Sequence, residues 1–135
     1  MSSEPPNARR LLGEFRELEH GRPDGPSLRA AVRDQAGPDE LRLAHYLRSG
    51  AVLAATGSRV HDVLSPDQEP IDGLRLHTDG QWFWYSDLAH YVEQYHVALD
   101  EHFAQHARDQ DFVPPQLSTT DLIKIEQTLF DNEDS

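Results

Sequence analysis

The segment that most constrains the fold is residues 74–95, which combines a hairpin pattern, a helix start and both tryptophans. Residues 74–78 alternate apolar with polar side chains, Asp79-Gly80 is a typical two-residue hairpin turn, and residues 81–85 are largely aromatic. After residue 85, apolar residues recur with the period of a helix. The segment therefore predicts two antiparallel strands joined by a tight turn and followed by a helix.

The register of this hairpin predicts a candidate binding surface. A two-residue turn would place Leu76 opposite Phe83 and divide the side chains between two faces. One face is an ordinary core face, and the other collects an arginine, a histidine and the two tryptophans: Arg75, His77, Trp82 and Trp84. Tryptophan and arginine are over-represented at binding hot spots, and arginine stacks on indole rings. The alternative is that a helix covers this face and makes the indoles part of the core.

Helical patterns flank the hairpin on both sides. They predict helices at about 7–20, 27–35, 39–49, 86–95 and 99–109, a last helix capped by Ser118 or Thr119, and strands at 51–56 and 60–64. Strands followed by helices in this order are typical of an α+β fold. We expect a small antiparallel sheet of three or four strands packed with N-terminal and C-terminal helices.

A length of 135 residues suits one domain with its own core. We divide the chain into an N-terminal helical extension, residues 1–37, which is expected to be partly flexible, and a single α+β domain, residues 38–130. Residues 131–135 are expected to form an acidic tail.

Charge is distributed unevenly along the chain. The formal net charge is −12, and the first fifty residues contribute none of it because their arginines and carboxylates balance. A negative field repels nucleic acid and anionic membranes and accelerates encounter with a basic protein. The candidate contact carboxylates are Asp67, Glu69, Asp72 and Glu93. The alternative is that the acidity only maintains solubility.

The chain contains no cysteine, so disulfides and thiolate metal sites are excluded. No apolar run approaches the roughly 20 residues of a membrane span, and the first fifteen residues lack the apolar segment of a secretory signal. We expect a cytoplasmic protein.

Catalytic and metal-binding patterns are weak. His102 and His106 have the i, i+4 spacing of two metal ligands, but Phe103 follows His102 where a glutamate stands in the H-E-x-x-H motif. The serines occur at predicted caps and turns, which already account for them. We predict no catalytic residue, no metal site and no cofactor.

The run TDGQWFWYSDLAHYVEQY, followed by Leu99, Phe103 and Pro115, resembles a pattern of small, largely uncharacterised actinobacterial proteins. That pattern is T-D-G-x-W-x-W-x-x-D-L-x-x-Y-V-x-x-Y, then L-x-x-x-F and a late proline. These proteins commonly have a Leu-Pro pair where this chain has Leu99-Asp100. The resemblance implies no established activity, and a looser similarity links the pattern to toxin-immunity proteins.

These observations predict a non-enzymatic, acidic protein-binding module, an immunity or inhibitor protein that engages a basic partner such as a toxin or nuclease. Carboxylates can occupy positions that a nuclease's substrate phosphates would fill. Two alternatives stay open. One is a structural or assembly subunit that docks through the tryptophan-bearing face of the sheet, and the other is a small histidine-based metal protein or enzyme.

Overall fold

A computed structural model of the chain describes residues 11–18 and 21–133, without the side chains of residues 56, 72 and 128–133. The described part contains, in order, α1 (Leu28–Ala31), α2 (Glu40–Ser49), β1 (Ala51–His61), β2 (Pro70–Thr78), β3 (Phe83–Tyr85), α3 (Leu88–Tyr95), α4 (Glu101–Asp109) and α5 (Thr119–Glu133). The strands form one antiparallel sheet in the order β1-β2-β3. The predicted α+β fold is confirmed.

Strand β1 is longer than the sequence predicted. Residues 51–61 form one strand, although Gly57-Ser58 was expected to separate two shorter ones. The pairing of β1 with β2 shifts in register between Ala55 and Arg59, so the interruption is an irregularity within a continuous strand. Strand β2 already begins at Pro70, so residues 62–69 connect β1 to β2.

The hairpin is confirmed, but its predicted register is wrong. Leu76 pairs with Tyr85 rather than Phe83, and His77 pairs with Trp84. The connection therefore spans four residues, 79–82, instead of two. A displacement of two residues leaves each side chain on its original face, because side chains alternate along a strand. His77 and Trp84 consequently share a face, as predicted.

The helix expected over residues 7–20 is wrong within residues 11–18, which are not helical; its remaining residues lie outside the described part of the chain. The amide of Leu12 donates to the carbonyl of Phe83 at 2.8 Å, and Leu11 forms a parallel bridge to the same residue. Gly13 has a φ of 73°. The segment therefore lies along strand β3.

The helices after residue 26 begin close to the predicted positions. Ser27 accepts a hydrogen bond from the amide of Ala30, and Asp100 accepts from two amides of α4. Ser118 and Asp121 bond each other's amides at the start of α5, a reciprocal cap. The helix predicted at about 86–95 begins at Leu88, with Asp87 at its N-cap position. The acidic tail was predicted to begin at residue 131, but α5 continues to Glu133.

The core lies where the sheet packs against helices α2, α3 and α4. Its centre is aromatic: Trp84 of β3 contacts Tyr46 of α2 and Phe103 of α4, with ring centroids 6.0 and 5.6 Å away. Residues before 38 also enter this core, since Leu12, Phe15, Leu18 and Leu28 are buried.

Among the described residues, no helix combines the length and the apolarity needed to cross a bilayer.

Candidate functional site

Trp84 was predicted as a partner contact, and the structure places it in the core. Its side chain is fully buried, and the indole N–H donates to the carbonyl of Leu47 at 2.7 Å. A buried indole usually needs such an acceptor, because an unsatisfied donor costs free energy. Trp84 is therefore not available to a partner in this structure. The physical reason is that α2 and α4 cover this face of the sheet.

His77 lies beside Trp84 and is also buried. The two rings are nearly parallel, with centroids 6.4 Å apart. The imidazole Nδ1 lies 3.0 Å from the carbonyl of Gly50, which can only accept, so Nδ1 carries the proton. Burial is the main cause that lowers the pKa of His77, and the positive charge of Arg75 lowers it further. His77 is therefore a neutral interior histidine.

Trp82 is separated from Trp84 because it lies in the connection between β2 and β3. It is half-buried and packs edge-to-face on Phe103, with centroids 5.5 Å apart. It also lines a cleft of about 540 Å³ together with Leu12 and Leu99. The structure thus does not combine the two tryptophans into one exposed surface.

Two of the carboxylates predicted to meet a partner, Asp67 and Glu69, lie on a loop that is fixed to helix α3. We call residues 62–69 the acidic loop. Its base is closed by a hydrogen bond from the amide of Asp62 to the carbonyl of Glu69 at 2.8 Å. The amide of Val63 donates to the Tyr91 hydroxyl at 3.0 Å. The loop therefore has a defined position, although several of its residues are exposed.

Asp62 is the main attachment of the acidic loop. One oxygen, Oδ2, lies 2.7 Å from His90 Nε2 and accepts from the Tyr95 hydroxyl at 2.8 Å. The other accepts from the amides of Leu64 and Ser65 at 2.8 and 3.0 Å. Burial opposes the charged form, but these hydrogen bonds outweigh it and hold the pKa of Asp62 below its ordinary value. A buried carboxylate thus fastens the loop to α3.

Asp67 and Glu69 are exposed on this loop. The charge of Glu69 contributes to raising the pKa of Tyr95, after burial and the bond to Asp62, so Glu69 lies close to α3. Glu93 of α3 is half-buried and paired with Arg48 at 2.8 Å, which lowers its pKa. Asp67, Glu69 and Glu93 are therefore carried by adjoining elements. The side chain of Asp72 lies outside the described part.

Two further histidines, His96 at the end of α3 and His106 of α4, contact buried carboxylates. His106 Nε2 lies 2.8 Å from Asp79 Oδ2, which also accepts from the Tyr46 hydroxyl at 2.5 Å. His96 Nδ1 lies 2.7 Å from Glu40 Oε2. Burial, followed by the bond to Asp79 and its charge, strongly raises the pKa of Tyr46.

Sequence reasoning missed these histidine–carboxylate pairs. Asp79 was interpreted only as a turn residue, and Glu40 only as part of a helix start. The partners are 27 to 56 residues apart along the chain. No local spacing signals such pairs, because tertiary packing alone brings them together.

Arg75 has a different neighbourhood from the one predicted. It lines a pocket of about 290 Å³ between the sheet and helices α2 and α3, together with His77 and Trp84. Arg48 and His90 complete its basic lining. Three of the four residues predicted for the tryptophan-bearing face therefore share this pocket, and Trp82 does not.

The two histidines considered as a metal-binding pair contact different residues. His106 contacts Asp79, whereas His102 is 94% exposed and lies near Asp100. Among the described residues, no three histidine or carboxylate side chains converge as metal ligands would.

Comparison of the chain with protein families, with curated proteins and with solved structures gives no match. The resemblance to small actinobacterial proteins stays a prediction, and the residues themselves carry the functional argument.

Proposed function

We propose that this protein is a non-enzymatic, acidic protein-binding module, an immunity or inhibitor protein that engages a basic partner such as a toxin or nuclease. The observation that carries the proposal is the acidic loop. Its exposed carboxylates stand on a backbone that Asp62, Tyr91 and Tyr95 attach to α3. A loop held in one conformation loses little conformational entropy on binding.

The distribution of charge supports a basic partner. Three carboxylates of the second part of the chain, Asp62, Asp79 and Asp87, are buried. The exposed carboxylates belong to a chain whose net charge is −12. Such a field increases the rate at which a basic protein finds the surface. Asp67 and Glu69 are central to the proposed contact, and Glu93 contributes less because Arg48 neutralises it.

The tryptophans have a different role in this proposal from the one expected. Trp84 and His77 support the fold from the core, and Trp82 is only partly accessible. An assembly subunit that docks through a face bearing both indoles has less support, since α2 and α4 cover Trp84. A cytoplasmic location is part of the proposal.

The test is affinity capture from the native host with mass spectrometry, using three forms of the protein. The unaltered chain should retain a basic protein at low salt and release it at high salt. The double variant Asp67→Asn/Glu69→Gln should lose that protein. The control Glu101→Gln/Asp111→Asn removes the same charge from exposed residues outside the loop and should retain it. Equal capture by both variants, or salt-resistant capture, would contradict the proposal.

A further inference from the structure

The cleft beside Trp82 is largely apolar inside, and no basic side chain of the described part lines it. Its volume is about 540 Å³, within the range of roughly 300 to 1,000 Å³ that small-molecule sites occupy. Its walls come from residues 11–15, from Pro26 and helix α1, and from the connection between α3 and α4. The polar side chains that line it within the described residues are one serine and two carboxylates: Ser27, Glu14 and Asp100.

We propose that this cleft binds a small organic cation, an ammonium group carried on an apolar body. The apolar walls, which include Leu99 and the half-buried Trp82, take up the body of the ligand by removing it from water. Glu14 and Asp100 supply the negative charge that pairs with the ammonium group. The inference goes beyond the proposed function, because it requires no protein partner and uses none of the carboxylates of the acidic loop.

Asp100 has one carboxylate oxygen to offer a ligand. Its Oδ1 accepts from the amides of His102 and Phe103 at 2.7 and 3.2 Å, and His102 Nδ1 lies 3.6 Å from the same oxygen. Within the described part of the chain these contacts are all to Oδ1, so Oδ2 can accept from a ligand. The bonds to Oδ1 cap α4 and hold the carboxylate at the edge of the cleft.

Glu14 has one weak ionic contact. Arg22 Nη1 lies 3.9 Å from its Oε1, but Arg22 is 59% exposed and lies nearer to Asp24, at 3.4 Å. An exposed pair at such a distance contributes little, so a ligand cation can replace it. The hydroxyl of Ser27 is already used, because it donates to Glu17 and accepts from an amide of α1. The two carboxylates therefore select the charge of the ligand.

Hydrogen bonds fix the walls of the cleft relative to one another. Glu17 accepts from two amides at the start of α1, at 2.7 and 3.1 Å, and joins residues 11–18 to that helix. The amide of Ala98 donates to the carbonyl of Ala31 at 3.1 Å and joins α1 to the connection before α4. A cleft whose walls are already ordered loses little conformational entropy when a ligand enters.

Calorimetric titration of the unaltered protein at constant ionic strength provides the test. The probes are tryptamine, an indole with an ethylammonium chain, and indole-3-propionate, which has a similar apolar body and a carboxylate. We expect saturable binding of tryptamine at millimolar concentration or below. Indole-3-propionate should bind at least about tenfold more weakly, because Glu14 and Asp100 repel its carboxylate. Equal binding of the two probes, or no saturable binding of tryptamine, would overturn the proposal.

A matched pair of variants tests the charge. Asp100→Asn removes the carboxylate but keeps a side chain that caps helices, and it should weaken tryptamine binding by about threefold. Glu101→Gln, at the adjacent exposed glutamate outside the cleft, is the control and should leave the binding unchanged. Equal effects of the two variants would assign the binding to the general negative charge of the chain and overturn the proposal.

A filled cleft and amide chemical shifts test the location. Ala98→Leu, at an exposed position of the cleft wall, should reduce tryptamine binding by occupying the space of the ligand. In the unaltered protein, tryptamine should shift the amide signals of Gly13 and Leu99, which line the cleft from opposite ends of the chain. Shifts confined to other regions, or full binding by Ala98→Leu, would refute this location.

Discussion

At the scale of single residues, Asp62 shows how a buried charge can position an exposed surface. Its two oxygens accept four hydrogen bonds from α3 and from the acidic loop itself. Burying a carboxylate is costly unless such bonds compensate for lost hydration. Four partners meet that requirement, and the loop that carries Asp67 and Glu69 is held in consequence.

The first prediction concerns the stability that Asp62 provides. Asp62→Asn should lower the free energy of unfolding at pH 7 by about 2 kcal/mol or more, because it removes a charged acceptor from buried donors. The folded-state pKa of Asp62 is lowered, so its contribution is present above the unfolded-state pKa of about 3.9 and is lost as the pH falls through the folded value. Urea unfolding between pH 7 and pH 3 should show the two proteins converging at acid pH. Asp67→Asn, on the exposed part of the loop, serves as control and should match the unaltered protein at pH 7; a constant difference across the range would contradict this account.

The second prediction tests how tightly Trp84 is packed. A Cβ at Gly50 would lie 2.5 Å from Trp84 Cζ2, whereas at Gly57 it would meet nothing within 4 Å. Gly50→Ala should therefore destabilise the fold by about 1 to 3 kcal/mol through overpacking, and Gly57→Ala should change little. Urea unfolding of both variants measures the difference. Equal stabilities would mean that Trp84 is free to move aside.

At the scale of elements, the hairpin shows what dipeptide patterns can and cannot predict. The alternation of apolar and polar residues correctly predicted two strands and the face on which their side chains lie. The register was wrong because side chains extend the turn: Asp79 Oδ1 accepts from the amides of Gln81 and Trp82 at 3.0 and 2.8 Å. Thr78 Oγ1 accepts from Gly80 N and donates to Trp82 O. These bonds stabilise a four-residue connection, and the Asp-Gly pair alone does not reveal them.

The helix predicted over residues 11–18 was wrong for a related reason. Leu11, Phe15 and Leu18 have helical spacing, yet the backbone amides of Leu12 and Arg16 donate to Phe83 and Pro26, and the amide of Leu18 makes a turn bond to Phe15. Strand β3 offers an unpaired edge, and pairing with that edge satisfies groups that a helix would satisfy internally. Helices α2 and α3 were predictable because their apolar spacing and the residues at their ends indicate the same ranges.

For the candidate site, the loop carboxylates could be identified from sequence, but the histidine contacts and the pocket depend on tertiary packing.

The third prediction belongs to the hairpin connection. Gly80 has a φ of 100°, a conformation that L residues rarely adopt. Gly80→Val should therefore lower the free energy of unfolding by about 1 kcal/mol or more, since a β-branched residue tolerates positive φ poorly. Gly57→Val, in the exposed part of β1, is the control, and chemical denaturation of both gives the comparison. A Gly80→Val variant as stable as the control would show that the turn adopts another conformation.

At the scale of the whole molecule, buried and exposed carboxylates have different roles. Four carboxylates of the described part, Glu40, Asp62, Asp79 and Asp87, are buried. The others are at least partly accessible, and the net charge is −12. Exposed charges contribute little to folding. Their collective effect is on encounter with other molecules, which is where the proposed function is most directly accessible to experiment.

The decisive measurement is the association rate with the captured basic partner as a function of salt, by stopped-flow or surface binding. We expect the unaltered protein to associate more slowly as salt rises, because screening weakens steering. Asp67→Asn/Glu69→Gln should associate more slowly at low salt and with a flatter salt dependence, at an unchanged melting temperature. The control Glu101→Gln/Asp111→Asn should change the rate much less. Identical salt dependence in all three proteins would contradict the claim that the acidic loop is the binding surface.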